Sequence, residues 1–201
     1  MKKHKVKQGS PQWHRLRLGK VTGSRFKQMM SNDNLSLLDV MVAEQIIGQT
    51  DESDYVSDEM QRGTDLEPLA RKEYERITKK KVQQVGFISS TTYPLLGLSP
   101  DGLVGRMGAT EIKCPNTKNH VKTIRQKKVP SMYKYQVLAH FIVNEKLQWV
   151  DFVSYDPRFH VKPIFILRVT REEWSEDIKE AEEATAKFFA KFEAIKSEII
   201  F

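Results

Sequence analysis

The fold is decided by the stretch SPDGLVGRMGATEIK at residues 99–113. Two β-prone runs in this stretch are joined by a glycine-rich hairpin, which can fold Asp101 back beside Glu111. Consecutive side chains of a strand point to opposite faces, so Glu111 and Lys113 project together while Ile112 points into the core. The stretch therefore predicts two neighbouring strands that bring two carboxylates and one ammonium group to the same place.

These three groups suit phosphodiester hydrolysis with a divalent cation. Two carboxylates form a hard oxygen site for Mg²⁺ or Mn²⁺. The ion polarises the phosphoryl oxygen and helps to generate hydroxide, while the lysine orients the attacking water or stabilises the developing negative charge. The alternative is an aspartate in a turn followed by a strand with an exposed Glu/Lys pair, both of which are common in proteins.

Helices are predicted on both sides of this hairpin, and further strands follow it. Apolar residues at helical spacing indicate the helices, and short β-prone runs between glycines and prolines indicate the strands. The predicted helices run from Thr22 or Ser24 to Met30, over Leu35–Ile46, from Met60 to Thr78, onward from Pro130 and from about Arg171 to Ile199, with a loop at Thr50–Ser57. The predicted strands lie at 82–89, 95–99, 103–106, 109–114, 147–155 and 162–169. This order predicts an α/β (α+β) fold with a central mixed β-sheet flanked by helices.

The composition is typical of a globular protein. The chain has 201 residues, 39% of them hydrophobic, and one cysteine, which excludes a disulfide framework. No repeat, low-complexity tract or long linker interrupts it, so residues 1–201 are predicted to form one domain. No apolar run approaches the length of a membrane span, and the first residues lack the apolar core of a signal peptide. We therefore expect a cytoplasmic protein.

Positive charge is concentrated in two blocks that contain no acidic residue. Residues 1–30 carry nine Lys/Arg and residues 113–144 carry seven, within a net charge of +7 for the whole chain. Such blocks indicate a surface that binds a polyanion. A membrane-surface helix is disfavoured because neither block has a broad apolar stripe opposite its charges. Nucleic acid is the favoured partner, and a merely solvated surface is the alternative.

Six separated motifs, taken in order, resemble the PD-(D/E)xK nucleases, and within them the phage lambda exonuclease and the YqaJ-type alkaline exonucleases of viral recombination systems. The motifs are WHRLRLGKVTGS at 13–24, RGTDLE at 62–67, SPDGL at 99–103, EIKCP at 111–115, YKYQ at 133–136 and YDPR at 155–158. The resemblance implies the restriction-endonuclease-like core of that superfamily. Its iron–sulfur members need a set of cysteines, which this chain lacks.

The resemblance assigns the metal site to residues of the central hairpin. It makes Asp101, Glu111 and the backbone carbonyl of Ile112 the central ligands of two Mg²⁺ ions, with Mn²⁺ as a substitute. It places Lys113 beside the attacking water.

Residues outside the hairpin are assigned in the same way. Glu67 matches an acidic residue that contacts the metal site directly or through water. Tyr133 and Gln136 share one face of a helix and would reach towards the metal-bound water and the substrate phosphate. Without the resemblance, Glu67 is interpreted as a surface charge, and the other two as a helix surface with one packed aromatic ring.

The first basic block supplies a second expected site. Arg17, Ser24 and Ser99 match the family's pocket for a terminal 5′ phosphate, where a guanidinium can grip two oxygens. A helix that begins near Thr22 or Ser24 would add backbone N–H groups. Capturing the phosphate after each cleavage would hold the next bond in register.

The other residues of the basic blocks are expected to be less specific. Trp13 and His14 are predicted to be packing residues. Scattered lysines supply charge without the geometry that reads bases, so contacts to the DNA backbone are expected. The residues predicted to make them are Lys118, Lys122, Arg125, Lys127 and Lys128.

The resemblance implies a Mg²⁺-dependent, processive 5′→3′ exonuclease that digests one strand of linear duplex DNA from its 5′-phosphorylated end. Mononucleotides are released, and a 3′ single strand is left for an annealing protein in phage-type recombination. A homotrimeric ring encoded by a phage or prophage is implied as well. The alternatives are an endonuclease or single-strand-preferring nuclease with the same metal core, and a non-catalytic DNA-binding module with a nuclease fold.

Overall fold

The computed structural model describes residues 1–50 and 57–200. Its strands are β1 (Lys2–His4), β2 (Val82–Gln83), β3 (Phe87–Ser89), β4 (Gly97–Leu98), β5 (Gly102–Val104), β6 (Gly108–Lys113), β7 (Trp149–Tyr155) and β8 (Ile164–Thr170). Its helices are α1 (Pro11–Arg17), α2 (Phe26–Met29), α3 (Leu35–Ile47), α4 (Asp58–Thr78), α5 (Thr117–Gln126), α6 (Ser131–Val143) and α7 (Ser175–Ile200).

The central sheet has five strands in the order β2-β5-β6-β7-β8. β5 and β6 form the predicted hairpin, with Gly102 opposite Thr110 and Val104 opposite Gly108. Gly105, in the turn, has a φ of +62°, which glycine adopts without steric strain. β6 and β7 are parallel, whereas the other neighbouring strands are antiparallel. The sheet is therefore mixed, and the predicted fold class is confirmed.

Helices cover both faces of β6. α5 and α6 form the crossover that parallel strands require between β6 and β7. On one face, Ile112 packs in one cluster with Ala70 and Tyr74 of α4. On the other face, the preceding residue, Glu111, contacts α6. Because both faces are covered, a charged residue of β6 is withdrawn from bulk water.

A smaller antiparallel sheet contains β1, from the first basic block, together with β3 and β4. Val21 forms a parallel bridge with Leu96, and its carbonyl accepts the N–H of Gly97. The basic segment before Ser24 therefore runs alongside the strand that leads to Ser99.

Two predicted helix starts are wrong. α2 begins at Phe26 with Arg25 at its N-cap, and neither Thr22 nor Ser24 caps it. The two hydroxyl groups lie 3.0 Å apart and hydrogen-bond to each other instead. The last helix begins at Ser175 rather than Arg171, whose guanidinium donates to backbone carbonyls before β7.

Two helices were not predicted. α1 begins with Pro11 after Ser10, whose hydroxyl accepts the N–H of Trp13, a regular start signal. α5 begins after Asn116, whose side chain accepts the N–H of Asn119. Most of the predicted loop Thr50–Ser57 lies outside the described residues. In the described ranges, no helix has the length and apolar character needed to cross a membrane.

Candidate active site

A cleft of about 670 Å³ opens at the carboxyl end of β6, between α4 and the start of α6. Its wall includes Glu67, Asp101, Ile112, Lys113 and Tyr133. The fold thus gathers residues from four of the sequence motifs around one space.

Asp101 lies immediately before β5, and the hairpin returns it to β6. Its Oδ2 accepts the backbone N–H of Ile112 at 2.6 Å. The carboxylate is therefore fixed against the backbone of the residue that separates Glu111 from Lys113.

Glu111 is the most tightly held carboxylate of the site. It is 7% exposed, and both oxygens have partners. Oε1 lies 2.7 Å from Nζ of Lys113, and Oε2 accepts the Nε2–H of His140 at 2.9 Å. Glu111 and Lys113 thus lie on the same face of β6, as the alternation of a strand predicts.

The electrostatics of the two carboxylates differ. Burial and the nearby charge of Glu111 raise the pKa of Asp101 well above its ordinary value. Burial alone would also raise the pKa of Glu111, but Lys113 and the hydrogen bond from His140 outweigh it and lower this pKa to about 2. The negative charges of Asp101 and Glu111 repel each other because they lie close together away from bulk water, and a cation between them would relieve this repulsion.

Lys113 is half-buried and keeps its charge. Burial would lower its pKa, but the carboxylates of Glu111 and Asp101 outweigh this effect and raise the pKa above the ordinary lysine value. Its Nζ also lies 5.2 Å from the centre of the Tyr133 ring. The ammonium group is therefore a fixed positive charge beside the two carboxylates.

The donor set fits a hard divalent cation. Within residues 1–50 and 57–200, no group of three or more His, Cys, Asp or Glu side chains is arranged to hold a metal. Asp101 and Glu111 supply two carboxylates, and Glu67 lies on the wall of the same cleft, where Arg71 pairs with it. Carboxylate and backbone oxygens without sulfur or clustered imidazoles are what Mg²⁺ prefers.

One face of α6 lies over the carboxylates. Tyr133, Gln136 and His140 follow one another at helical spacing. Oε1 of Gln136 is buried and has no hydrogen-bond partner among the described residues. His140 holds Glu111 and is not among the site residues predicted from the sequence. Its spacing of four residues from Gln136 could have identified it.

Of the residues expected to form the 5′-phosphate pocket, Arg17 and Ser99 contact Trp13, whereas the hydroxyl of Ser24 hydrogen-bonds to that of Thr22. The Nε1–H of Trp13 donates to the Ser99 hydroxyl at 2.7 Å, and the guanidinium carbon of Arg17 lies 4.2 Å from the centre of the indole ring. His14 is exposed, so its prediction as a packing residue is wrong, whereas Trp13 is half-buried and its Nε1–H also reaches the carbonyl of Gly86. Ser99 lies two residues before Asp101, which places this group next to the carboxylates.

α5 arranges the predicted DNA-backbone contacts on one side of a helix. Lys118, Lys122 and Arg125 are exposed at i, i+4 and i+7. The opposite side is fixed by buried His120, whose Nδ1 lies 2.8 Å from the Ser154 hydroxyl. Lys127 and Lys128 follow the helix and are also exposed.

A mixed sheet that holds Asp101 against the backbone of β6, beside the contact of Glu111 with Lys113, is the arrangement of a nuclease of the PD-(D/E)xK type. Residues 12–146 match the YqaJ-like viral recombinase domain. The chain belongs to this family and is an enzyme of the nuclease class.

Solved structures agree with this assignment. The chain is similar to the alkaline exonuclease LHK-Exo from Laribacter hongkongensis, with 35% identity, a TM-score of 0.78 and coverage of 95% of this chain and 98% of that one. The same values hold for LHK-Exo in complex with dAMP. A phage-related exonuclease from Haemophilus somnus 129PT shares the fold at 14% identity and a TM-score of 0.57, over 90% of this chain and 96% of that one. No curated protein sequence matches the chain significantly.

Proposed function

We propose that this protein is a Mg²⁺-dependent, processive 5′→3′ exonuclease that digests one strand of linear duplex DNA from a 5′-phosphorylated end. It releases mononucleotides and leaves a 3′ overhang for recombination by single-strand annealing. The observation that carries the proposal is the contact of Glu111 with Lys113 beside Asp101, at the wall of a cleft that is open to solvent.

Asp101, Glu111, the carbonyl of Ile112 and Glu67 are proposed to hold two Mg²⁺ ions, with Mn²⁺ as a substitute. When bound, the metal supplies Lewis-acid activation of the phosphoryl group and a more acidic water. Arg71 contacts only Oε1 of Glu67, so the other carboxylate oxygen is available to the metal or its water.

The side chains around the carboxylates have different proposed roles in the reaction. Lys113 stabilises negative charge on the phosphoryl group and orients the attacking water. His140 fixes the direction of Glu111. Tyr133 limits the movement of Lys113, and the unpartnered Oε1 of Gln136 is available to accept a hydrogen bond from water.

Polarity and processivity are assigned to Arg17, Ser24 and Ser99. The stacking of Arg17 on Trp13 and the hydrogen bond from Trp13 to Ser99 support a preorganised pocket for the 5′ phosphate. The basic side of α5 would follow the DNA backbone. Similarity to an exonuclease solved with dAMP supports a mononucleotide product.

The assembly belongs to the same proposal. Membership of a viral recombinase family supports a phage or prophage origin, action in the bacterial cytoplasm and a single-strand annealing protein as partner. We propose one nuclease domain over residues 1–201 and a homotrimeric ring around DNA.

The function is tested by digesting a linear duplex labelled separately at each 5′ and 3′ end in the presence of Mg²⁺. We expect early release of the 5′ labels as mononucleotides, while a covalently closed circle stays intact. Cutting of the circle would identify an endonuclease. If no acid-soluble nucleotide is released and the circle also stays intact, the non-catalytic DNA-binding module is correct.

The Arg17→Ala substitution is expected to slow digestion and to erase the preference for 5′-phosphorylated over 5′-hydroxyl ends. Loss of a charge-assisted hydrogen bond costs about 1.5–3 kcal/mol, or roughly 10- to 100-fold in affinity. The measurement is the ratio of digestion rates on the two substrates. Arg15→Ala, an exposed change on the same helix, is the control. An unchanged ratio for Arg17→Ala would remove Arg17 from this role.

A further inference from the structure

The loop after β7 brings Arg158 to the catalytic cleft, whose wall also contains Lys113 and Arg62. β6 and β7 are parallel, with Lys113 paired with Ser154, so the residues that follow lie beyond the same edge of the sheet. Ligands of such sheets bind outside the carboxyl ends of parallel strands. Arg158, four residues beyond Ser154, lies on the cleft wall with Glu67 and Asp101.

Asp156 fixes the position of the Arg158 head group. It is fully buried, and it accepts Nε–H and Nη2–H of Arg158 at 3.0 and 3.2 Å. It also accepts Nη2–H of Arg62 at 3.0 Å and the hydroxyl of Thr117. The paired contacts hold the plane of the Arg158 guanidinium, and no described residue hydrogen-bonds to its Nη1.

Arg62 and Arg158 both pair with Asp156, but they differ in their other hydrogen bonds and in the exposure of their side chains. Arg62 donates to the carbonyls of Cys114 and Pro115, and its side chain is 26% exposed. It therefore fixes the turn that follows Lys113. The side chain of Arg158 is 56% exposed. Two arginines around one aspartate leave a net positive charge, and Arg158 presents it to the cleft.

We propose that Arg158 binds a backbone phosphate of the DNA strand in the cleft, with Asp156 as its positioning residue. The inference rests on the proposed function, because it takes DNA as the substrate. The cleft wall also contains Asp58 and Glu59, which repel a polyanion, and the ammonium of Lys113 is paired with Glu111. A preoriented guanidinium offsets this repulsion and matches the geometry of a phosphate.

The test is the affinity for a 5′-phosphorylated linear duplex in EDTA, measured by fluorescence anisotropy between 50 and 200 mM KCl. For Arg158→Ala we expect a Kd roughly 10-fold higher and a salt slope smaller by about 1, the signature of one lost phosphate contact. Arg158→Lys keeps the charge but loses the paired contacts, so it should retain the slope with intermediate affinity. Arg76→Ala is the matched control, since Arg76 makes the same paired contact with Glu73 on an exposed part of α4, and it should bind as the wild type does.

The melting temperature of each variant shows whether it is folded. Arg62 and Thr117 remain with Asp156 in Arg158→Ala, so the fold should persist. If that variant is unstable, Arg158→Lys and Arg158→Gln decide by the difference in their salt slopes. Wild-type Kd and slope in a folded Arg158→Ala would overturn the inference, even if the wild-type enzyme digests DNA as proposed. Weakened binding by Arg158→Ala would uphold it, even if the wild type released no nucleotide.

Discussion

The Lys113→Met substitution is expected to lower the rate of DNA hydrolysis by about 10²- to 10³-fold, the usual loss when one preorganised electrostatic group is removed. Lys113 lies 2.7 Å from Glu111, and the carboxylates of Glu111 and Asp101 raise its pKa above the ordinary lysine value. Methionine keeps the unbranched shape against the Tyr133 ring but removes the charge. The measurement is single-turnover release of acid-soluble nucleotide at saturating Mg²⁺.

Lys80→Met is the matched control for this experiment. Nζ of Lys80 lies 4.5 Å from the centre of the Trp149 ring, so it makes the same kind of cation–π contact without a carboxylate partner in the cleft. We expect its hydrolysis rate to equal that of the wild type. DNA affinity should be nearly unchanged in both variants. A Lys113→Met enzyme that turns over normally would show that the ammonium group has no part in catalysis.

The hairpin was predictable because strand periodicity is a local property. Alternation over three residues places Glu111 and Lys113 together, and the glycines between Asp101 and Glu111 leave few ways to connect two strands. The same argument places Asp101 beside Glu111 without knowledge of the rest of the chain.

The supporting contacts could not be predicted in this way. Arg62 meets Asp156 across 94 positions of the sequence, and Trp13 meets Ser99 across 86. The spacing of residues in the sequence does not reveal such pairs, because they form only when distant elements of the fold pack together. The motifs were visible as separate segments, but only the fold shows that two of them share the carboxylate of Asp156.

α5 was not predicted because its buried side is polar rather than apolar. Its buried side includes His120 and Thr123, which are polar, and Val121 is exposed. A search for apolar periodicity therefore finds no helix. The buried His120 is satisfied by Ser154 and by the carbonyl of Lys162, so burial here follows hydrogen bonding rather than hydrophobicity.

The Asp101→Asn substitution is expected to reduce hydrolysis to background and, in the metal-free protein, to raise the melting temperature. Asparagine can still accept the N–H of Ile112 but removes a charge that Glu111 repels. For a chain of this size, each kcal/mol of relief corresponds to about 2–4 °C. Mg²⁺ should stabilise the wild type, because it binds the folded state alone, and should stabilise Asp101→Asn much less.

The pH dependence of the difference in melting temperature between Asp101→Asn and the wild type gives a stricter test. The folded state raises the pKa of Asp101 above its ordinary value of 3.8, so at pH values between the unfolded and folded pKa the folded protein binds more protons than the unfolded one. Its stability then falls as the pH rises, and the penalty is fully present above the folded pKa. In EDTA, the excess melting temperature of Asp101→Asn over the wild type should therefore be larger at pH 8 than at pH 5. Asp39→Asn, an exposed change on α3, should show no such trend. A lower melting temperature for Asp101→Asn at pH 8 would mean that Asp101 stabilises the metal-free fold, and that the two carboxylates are not held in opposition for a cation.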